Sequence, residues 1–179
     1  MNILFFGGHY WDRGPWFRKQ QFASRLAQKG HNVFYVKESP SIIRKKKSHK
    51  NNYFKTECKK FAENLFVITP FALFPFPKSR MIRKLYNKKL FKDIKRIFKN
   101  YNVNEFLIWI NRTDFAADLL DSKNFKILDL FDDIPFYHKL SGDEKGYIKA
   151  SKSFERAIQS ADIIIVSAKK NKRKVSAFN

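Results

Sequence analysis

Three short stretches carry side chains suited to chemistry. The first is GGHYWDRGP, residues 7–15. Gly7 and Gly8 let backbone approach a ligand closely. His9, Asp12 and Arg13 can hydrogen-bond a polar ligand, and Tyr10 or Trp11 can stack on a sugar. Pro15 suits the first turn of a helix, whose free N–H groups attract an anion. The same loop also reads as a turn whose aromatics pack on neighbouring helices. The second stretch is WINRTD, residues 109–114, where Asn111 and Arg112 follow a strand and Arg112 suits a phosphate or carboxylate. The third is KILDLFDDIPFY, residues 126–137, which clusters Asp129, Asp132 and Asp133 at a strand end. A carboxylate there can orient an acceptor hydroxyl or accept its proton. Asp129 and Asp133 equally suit backbone capping in a loop and a turn before Pro135. Asp132 and His9 are the candidate catalytic groups, with Asp133 and His138 as candidate substrate contacts.

Other chemistries lack their motifs. His9, His31, His49 and His138 show no metal-ligand spacing, and Cys58 is the one cysteine, so no metal site, disulfide or cysteine-based zinc site is expected. His31 sits in a helix–strand turn, which favours a structural role. The opening loop lacks the G-x-G-x-x-G fingerprint of dinucleotide binding. Ser167 has no nucleophile-elbow context.

These groups need a frame to position them. Apolar runs at 2–6, 31–37, 65–69, 105–110, 125–130 and 162–167 predict six strands. Helices are expected over 16–29, with Gly30 as the stop, over about 79–100 with Ser79 as cap, over 115–121, and over about 143–160. Residues 42–60 read as a charged loop, and the basic tail from Lys169 as a helix. Strands apolar almost throughout, separated by helices, predict an α/β fold: a Rossmann-like, doubly wound parallel sheet, order near 3-2-1-4-5-6, with helices on both faces. Ligands bind such sheets beyond the C-terminal strand ends, which puts the opening loop at the default mouth. At 179 residues, with no internal repeat or long linker, a single domain over 1–179 is expected.

Composition bounds the partners. Hydrophobic residues make up 44% of the chain, which excludes a disordered one. Lys and Arg number 37 against 16 Asp and Glu, a formal charge of +21. That excess implies attraction to nucleic acid, phospholipid or a phosphorylated substrate, unless it reflects AT-rich coding alone. The N-terminus does not read as a signal peptide, and no apolar run reaches 18 residues. A cytoplasmic protein is expected.

The helix–turn–strand FRKQQFASRLAQKGHNVFYV resembles the start of a GT-B glycosyltransferase of the GT4-like group, whose first helix runs into an L-A-x-x-G-H-x-V turn. Leu26, Ala27, Gly30, His31 and Val33 match it. The segment at 126–137 is similar to the strand and acidic loop of members acting on cell-surface polysaccharides. FERAIQSADIIIVSA, residues 154–168, resembles the E-x-x-x-x-x-A-D-x-x-x-x-S segment through Glu155, Ala161, Asp162 and Ser167. The resemblance implies the N-terminal, acceptor-binding half of a two-lobed enzyme. It implies sugar transfer from a nucleotide-sugar to a cell-envelope glycan or lipid-linked acceptor, without an obligatory metal. The donor would bind a C-terminal domain supplied in cis or trans, so no cofactor is expected on this domain, and the fragment alone is expected to be inactive.

A second informative stretch is FALFPFPKSRMIRKLYNKKLFKDIKRIFKN, residues 71–100. Ile82, Leu85, Tyr86, Leu90, Ile94, Ile97 and Phe98 predict a stripe packed on the sheet. Phe74 and Phe76 precede a basic face that includes Arg80, Arg83, Lys84 and Lys88. An apolar loop beside a basic helix suits an anionic membrane surface on the inner face of the cell membrane. Two other readings stay open. One is a nucleic-acid or polyanion module, for which no RRM, KH, helix-turn-helix or zinc pattern appears. The other is a nucleotide-dependent enzyme complete in one domain.

Overall fold

A computed structural model describes residues 1–8, 11, 15–39, 54–72, 80–111, 123–167 and 175–176, with the side chains of Arg80 and Arg83 left out. The chain divides into two compact units, residues 1–106 and 107–179. Each combines parallel strands with helices, so the class is α/β as the sequence predicts.

In the first unit, β1 (Asn2–Phe6), β2 (Asn32–Val36) and β4 (Leu65–Thr69) run parallel, and β3 (Glu57–Ala62) is antiparallel to β4, giving the order β3-β4-β2-β1. The register is set by Ile3 opposite Val33 and Phe34 opposite Phe66. Nearly every residue of β1, β2 and β4 is buried, which is why their sequences read as continuous apolar runs. The helix α1 (Arg18–Gln28) starts where the Gln20 side chain turns back to accept from the Phe17 N–H, 3.1 Å. It stops at Gly30, whose φ of 84° lets its N–H reach Ala27 O at 2.9 Å while the His31 N–H reaches Leu26 O. Ala23 and Ala27 are buried on its inner face.

The longest helix, α2 (Arg80–Asn100), buries Tyr86, Leu90, Ile94 and Phe98. Phe98 meets Phe34 edge-on at 4.8 Å, and Phe34 stacks on Phe66 at 4.7 Å. Each such ring contributes roughly 1.5–3 kcal/mol through burial. Asn102, at φ 54°, ends the helix, and the Val103 N–H closes back on Phe98 O.

The second unit holds β5 (Leu107–Ile110), β6 (Lys126–Leu130) and β7 (Ile163–Val166), parallel in the order β5-β6-β7. It also holds α3 (Ile134–Leu140) and α4 (Glu144–Ser160), whose Phe154, Ala157 and Ile158 are buried. The parallel orders 3-2-1 and 4-5-6 of the six predicted strands therefore hold within each unit.

Three expectations need correction. The charged loop expected to run to Lys60 ends in β3, an edge strand that pairs with β4 through a tight turn at Glu63 and Asn64. Asn64 takes the left-handed φ of 58°. A strand covered on one side only needs no apolar run, so its lysines hid it. The acidic loop after β6 closes instead into α3, because Pro135 falls in a first turn where its missing N–H costs nothing. Leu85, expected in the buried stripe of α2, is 60% exposed. The helix expected at 115–121, the Ser79 cap and the tail at 168–174 lie outside the described residues.

Candidate functional site

In the first unit β1 delivers the chain straight into Gly7 and Gly8. The Gly7 N–H donates to Phe5 O at 3.1 Å and the Gly8 N–H to Val36 O at 3.3 Å, so the turn is tied to both strand ends. Gly8 has φ 66°. A Cβ on Gly7 would overlap the ring end of Tyr35, so only glycine fits beside that fully buried side chain. Trp11 is 3% exposed, its indole packed edge-on against Tyr35 at 4.7 Å and Phe61 at 5.4 Å, and tilted against Trp16 at 5.2 Å. Its ring faces are thus taken up by protein, as in the packing alternative for this loop. Its Nε1–H is buried without a hydrogen-bond partner among the described residues. His9, Tyr10, Asp12 and Arg13 lie outside the described residues.

In the second unit the register that sets Ile110 opposite Leu128 brings the next residues, Asn111 and Asp129, together. Asn111 Nδ2 donates to Asp129 Oδ2 at 2.9 Å. Asp129 is 1% exposed, so this bond helps hold a buried carboxylate. Asn111 Oδ1 is also buried, and no partner satisfies it among the described residues. It can accept a bond from a hydroxyl brought by a ligand. Arg112 lies outside the described residues.

Asp132 is exposed beyond β6, and among the described residues no hydrogen bond or ion pair holds its carboxylate. Asp133 accepts from the Phe136 N–H at 3.2 Å and caps α3. His138 Nδ1 lies 3.0 Å from Asp143 Oδ2, and the other Asp143 oxygen accepts from the Gly146 N–H at 2.9 Å to cap α4. That backbone bond, seconded by His138, holds the Asp143 carboxyl below its ordinary value. Asp133 and His138 therefore have structural partners, while Asp132 keeps its carboxylate for other work. Among the described residues no group of three His, Cys, Asp or Glu is arranged around a metal position.

Sequence reasoning missed one concavity. A cleft of about 960 Å³ opens between β3 and the second half of α2, lined by Lys55, Lys59, Cys58, Arg96, Asn100 and Tyr101 among others. At its edge Asp93 accepts from Thr56 Oγ1 at 2.8 Å, Lys89 Nζ at 3.0 Å and Arg96 Nη1 at 3.4 Å. The Lys-x3-Asp-x2-Arg spacing on one helix face was the available signal. Burial pushes the Cys58 thiol up, so it is not an activated nucleophile.

The mostly parallel α/β frame, with one antiparallel edge strand, matches in fold the Rossmann-like half of GT-B structures. Two solved structures carry the likeness. One is the sucrose-phosphate synthase of Thermosynechococcus elongatus, at TM-score 0.65 and 15% identity, covering 98% of this chain and 44% of that one. The other is a trehalose-6-phosphate synthase from E. coli bound with UDP-2-fluoro glucose, at TM-score 0.53 and 10% identity, covering 98% and 42%. The chain thus spans less than half the length of either. No protein-family model and no curated protein matches it.

Proposed function

We propose that the chain is the acceptor-binding half of a glycosyltransferase related to the GT4-like group. In this reading a sugar passes from a nucleotide-sugar, held by a separate donor domain in cis or trans, to a cell-envelope glycan or lipid-linked acceptor. Residues 1–179 act as one Rossmann-like acceptor domain. The observation that carries the reading is the carbonyl of Asn111, buried where β5 ends, braced by Asp129 and without a donor among the described residues. A buried acceptor without a donor is costly, on the order of 1–3 kcal/mol, and a sugar hydroxyl supplies the missing donor. The Trp11 Nε1–H just beyond β1, without an acceptor among the described residues, is the corresponding donor in the first unit. In this reading Asp132, exposed beyond β6, takes the proton of an acceptor hydroxyl, with His9 as the second candidate. In the first unit Gly7 and Gly8 are read as backbone contacts and Tyr10, Asp12 and Arg13 as polar contacts, and in the second unit Arg112 is read as a polar contact. The resemblance to enzymes of phosphorylated sugars supports the class and leaves the acceptor to experiment.

A thermal-shift panel tests this. Sugar phosphates, short lipid-linked saccharides, NAD(P) and a DNA duplex are each added to the chain. Ligand at 100 times its dissociation constant stabilises by about 2.7 kcal/mol. The expected result is a raised melting midpoint with a saccharide, lost in Asn111→Ala. Stabilisation by NAD(P) or DNA alone refutes the reading.

A further inference from the structure

The outward side of α2 has a composition that sheet packing does not require. At about 100° per residue, Lys84, Lys88, Lys92, Lys95 and Lys99 all fall within an arc of about 80°. Each is exposed, and none is ion-paired among the described residues. The one acidic residue of the helix, Asp93, is buried on a different side and engaged by Thr56, Lys89 and Arg96. Two apolar side chains interrupt the lysines at the N-terminal end. Met81 is 70% exposed and Leu85 is 60% exposed, on or beside the same arc.

We infer that this arc of α2 is a contact surface for an anionic phospholipid bilayer, with Met81 and Leu85 entering the headgroup–acyl boundary and the lysines meeting lipid phosphates. The helix would lie along the surface, its arc about 27 Å long from Met81 to Lys99 at 1.5 Å per residue. Long lysine stems reach past an inserted apolar residue to the headgroups. A single-stranded nucleic acid fits less well. Such ligands are held by aromatic side chains on which bases stack, and the aromatic beside the arc, Phe91, is half-buried against Phe6. Exposed leucine and methionine contribute nothing to a phosphodiester chain. Charge complementarity and the two apolar anchors together select the bilayer. This inference does not depend on the transferase reading.

Flotation of the chain with vesicles tests it. Equimolar phosphatidylglycerol and phosphatidylcholine vesicles should carry the chain at low salt and release most of it at molar salt. Pure phosphatidylcholine vesicles should not carry it. Replacing Lys84, Lys88 and Lys92 together by Gln should lower partitioning on the order of 100-fold. Met81→Ser with Leu85→Ser should lower it about tenfold while leaving binding to a single-stranded oligonucleotide unchanged. All five side chains are exposed, and circular dichroism verifies that each variant folds. Absence of binding to anionic vesicles overturns the inference, as does partitioning insensitive to either set of substitutions. Tight oligonucleotide binding that the lysine variant abolishes, with no vesicle binding by the unaltered chain, assigns the face to nucleic acid instead.

Discussion

Gly7→Ala probes the turn on which the opening site is built. The added methyl would run into the Cζ, Cε2 and Oη end of Tyr35. That ring is fully buried, stacked on Phe5 at 5.6 Å and met edge-on by Trp11 at 4.7 Å. It has nowhere to retreat without moving both neighbours, and the Gly7 N–H to Phe5 O bond keeps the backbone from yielding. Overpacking of this kind costs about 1–3 kcal/mol. In a domain of this size that lowers the melting midpoint by about 2–4 °C per kcal/mol, so a fall of roughly 2–12 °C is expected. Truncating the obstacle should relieve it: with Tyr35→Leu in the background, Gly7→Ala should cost little. The double-mutant cycle should then show a coupling of at least about 0.5 kcal/mol. Chemical denaturation of the four proteins measures it. A Gly7→Ala protein as stable as the parent, or strict additivity with Tyr35→Leu, refutes the packing argument.

Three further outcomes follow from the buried and capping groups. Tyr86 is pushed up to about 12 by burial, with the charge of Asp93 adding to the shift and the Ser39 hydrogen bond opposing it. Its folded value exceeds the unfolded one, so its contribution is complete below pH 10 and lost between pH 10 and 12. The unfolding free energy should fall over that window by on the order of 2 kcal/mol more than in Tyr86→Phe. Asp143 is held low, first by the Gly146 N–H and then by His138, so its contribution is present above its ordinary value and disappears as acid protonates it. Asp143→Ala should lower the melting midpoint at neutral pH and flatten the acid limb of the stability profile. Asp93→Ala leaves Thr56 without its acceptor and two cations unbalanced, and should destabilise by about 1–3 kcal/mol in urea titrations.

Much of the frame was legible because burial imposes it on the sequence. The ILFF of β1 and LFVI of β4 are apolar since both of their faces are covered, and Gly30 marks the end of α1 because a left-handed residue must stand there. ECKKFA was not legible, since an edge strand keeps its lysines in water and gives no apolar run. IPFYHKL was obscured by Pro135, which signals a turn and a helix start alike, and only the capping bond from Asp133 separates the two. Leu85 lies about 100° round the helix from Tyr86, off the buried stripe, so its apolar type did not make it face inward. Within the candidate site, both Asn111 and Asp129 stood out by residue type. Their hydrogen bond did not, since it depends on the register of β5 against β6. The structural employment of Asp133 and His138 was hidden for the same reason: their partners belong to helices that had first to be placed.

The central claim is that the polar groups beyond the parallel strand ends receive a saccharide acceptor. Backbone amide spectra of the isotope-labelled chain, titrated in turn with sugar phosphates, lipid-linked saccharides and UDP-glucose, test it most directly. The account predicts saturable shifts at Asn111 and Asp132 with a saccharide acceptor and none with UDP-glucose. Shifts confined to the cleft around Lys55, Arg96 and Tyr101, or no saccharide response at the strand ends, would contradict it.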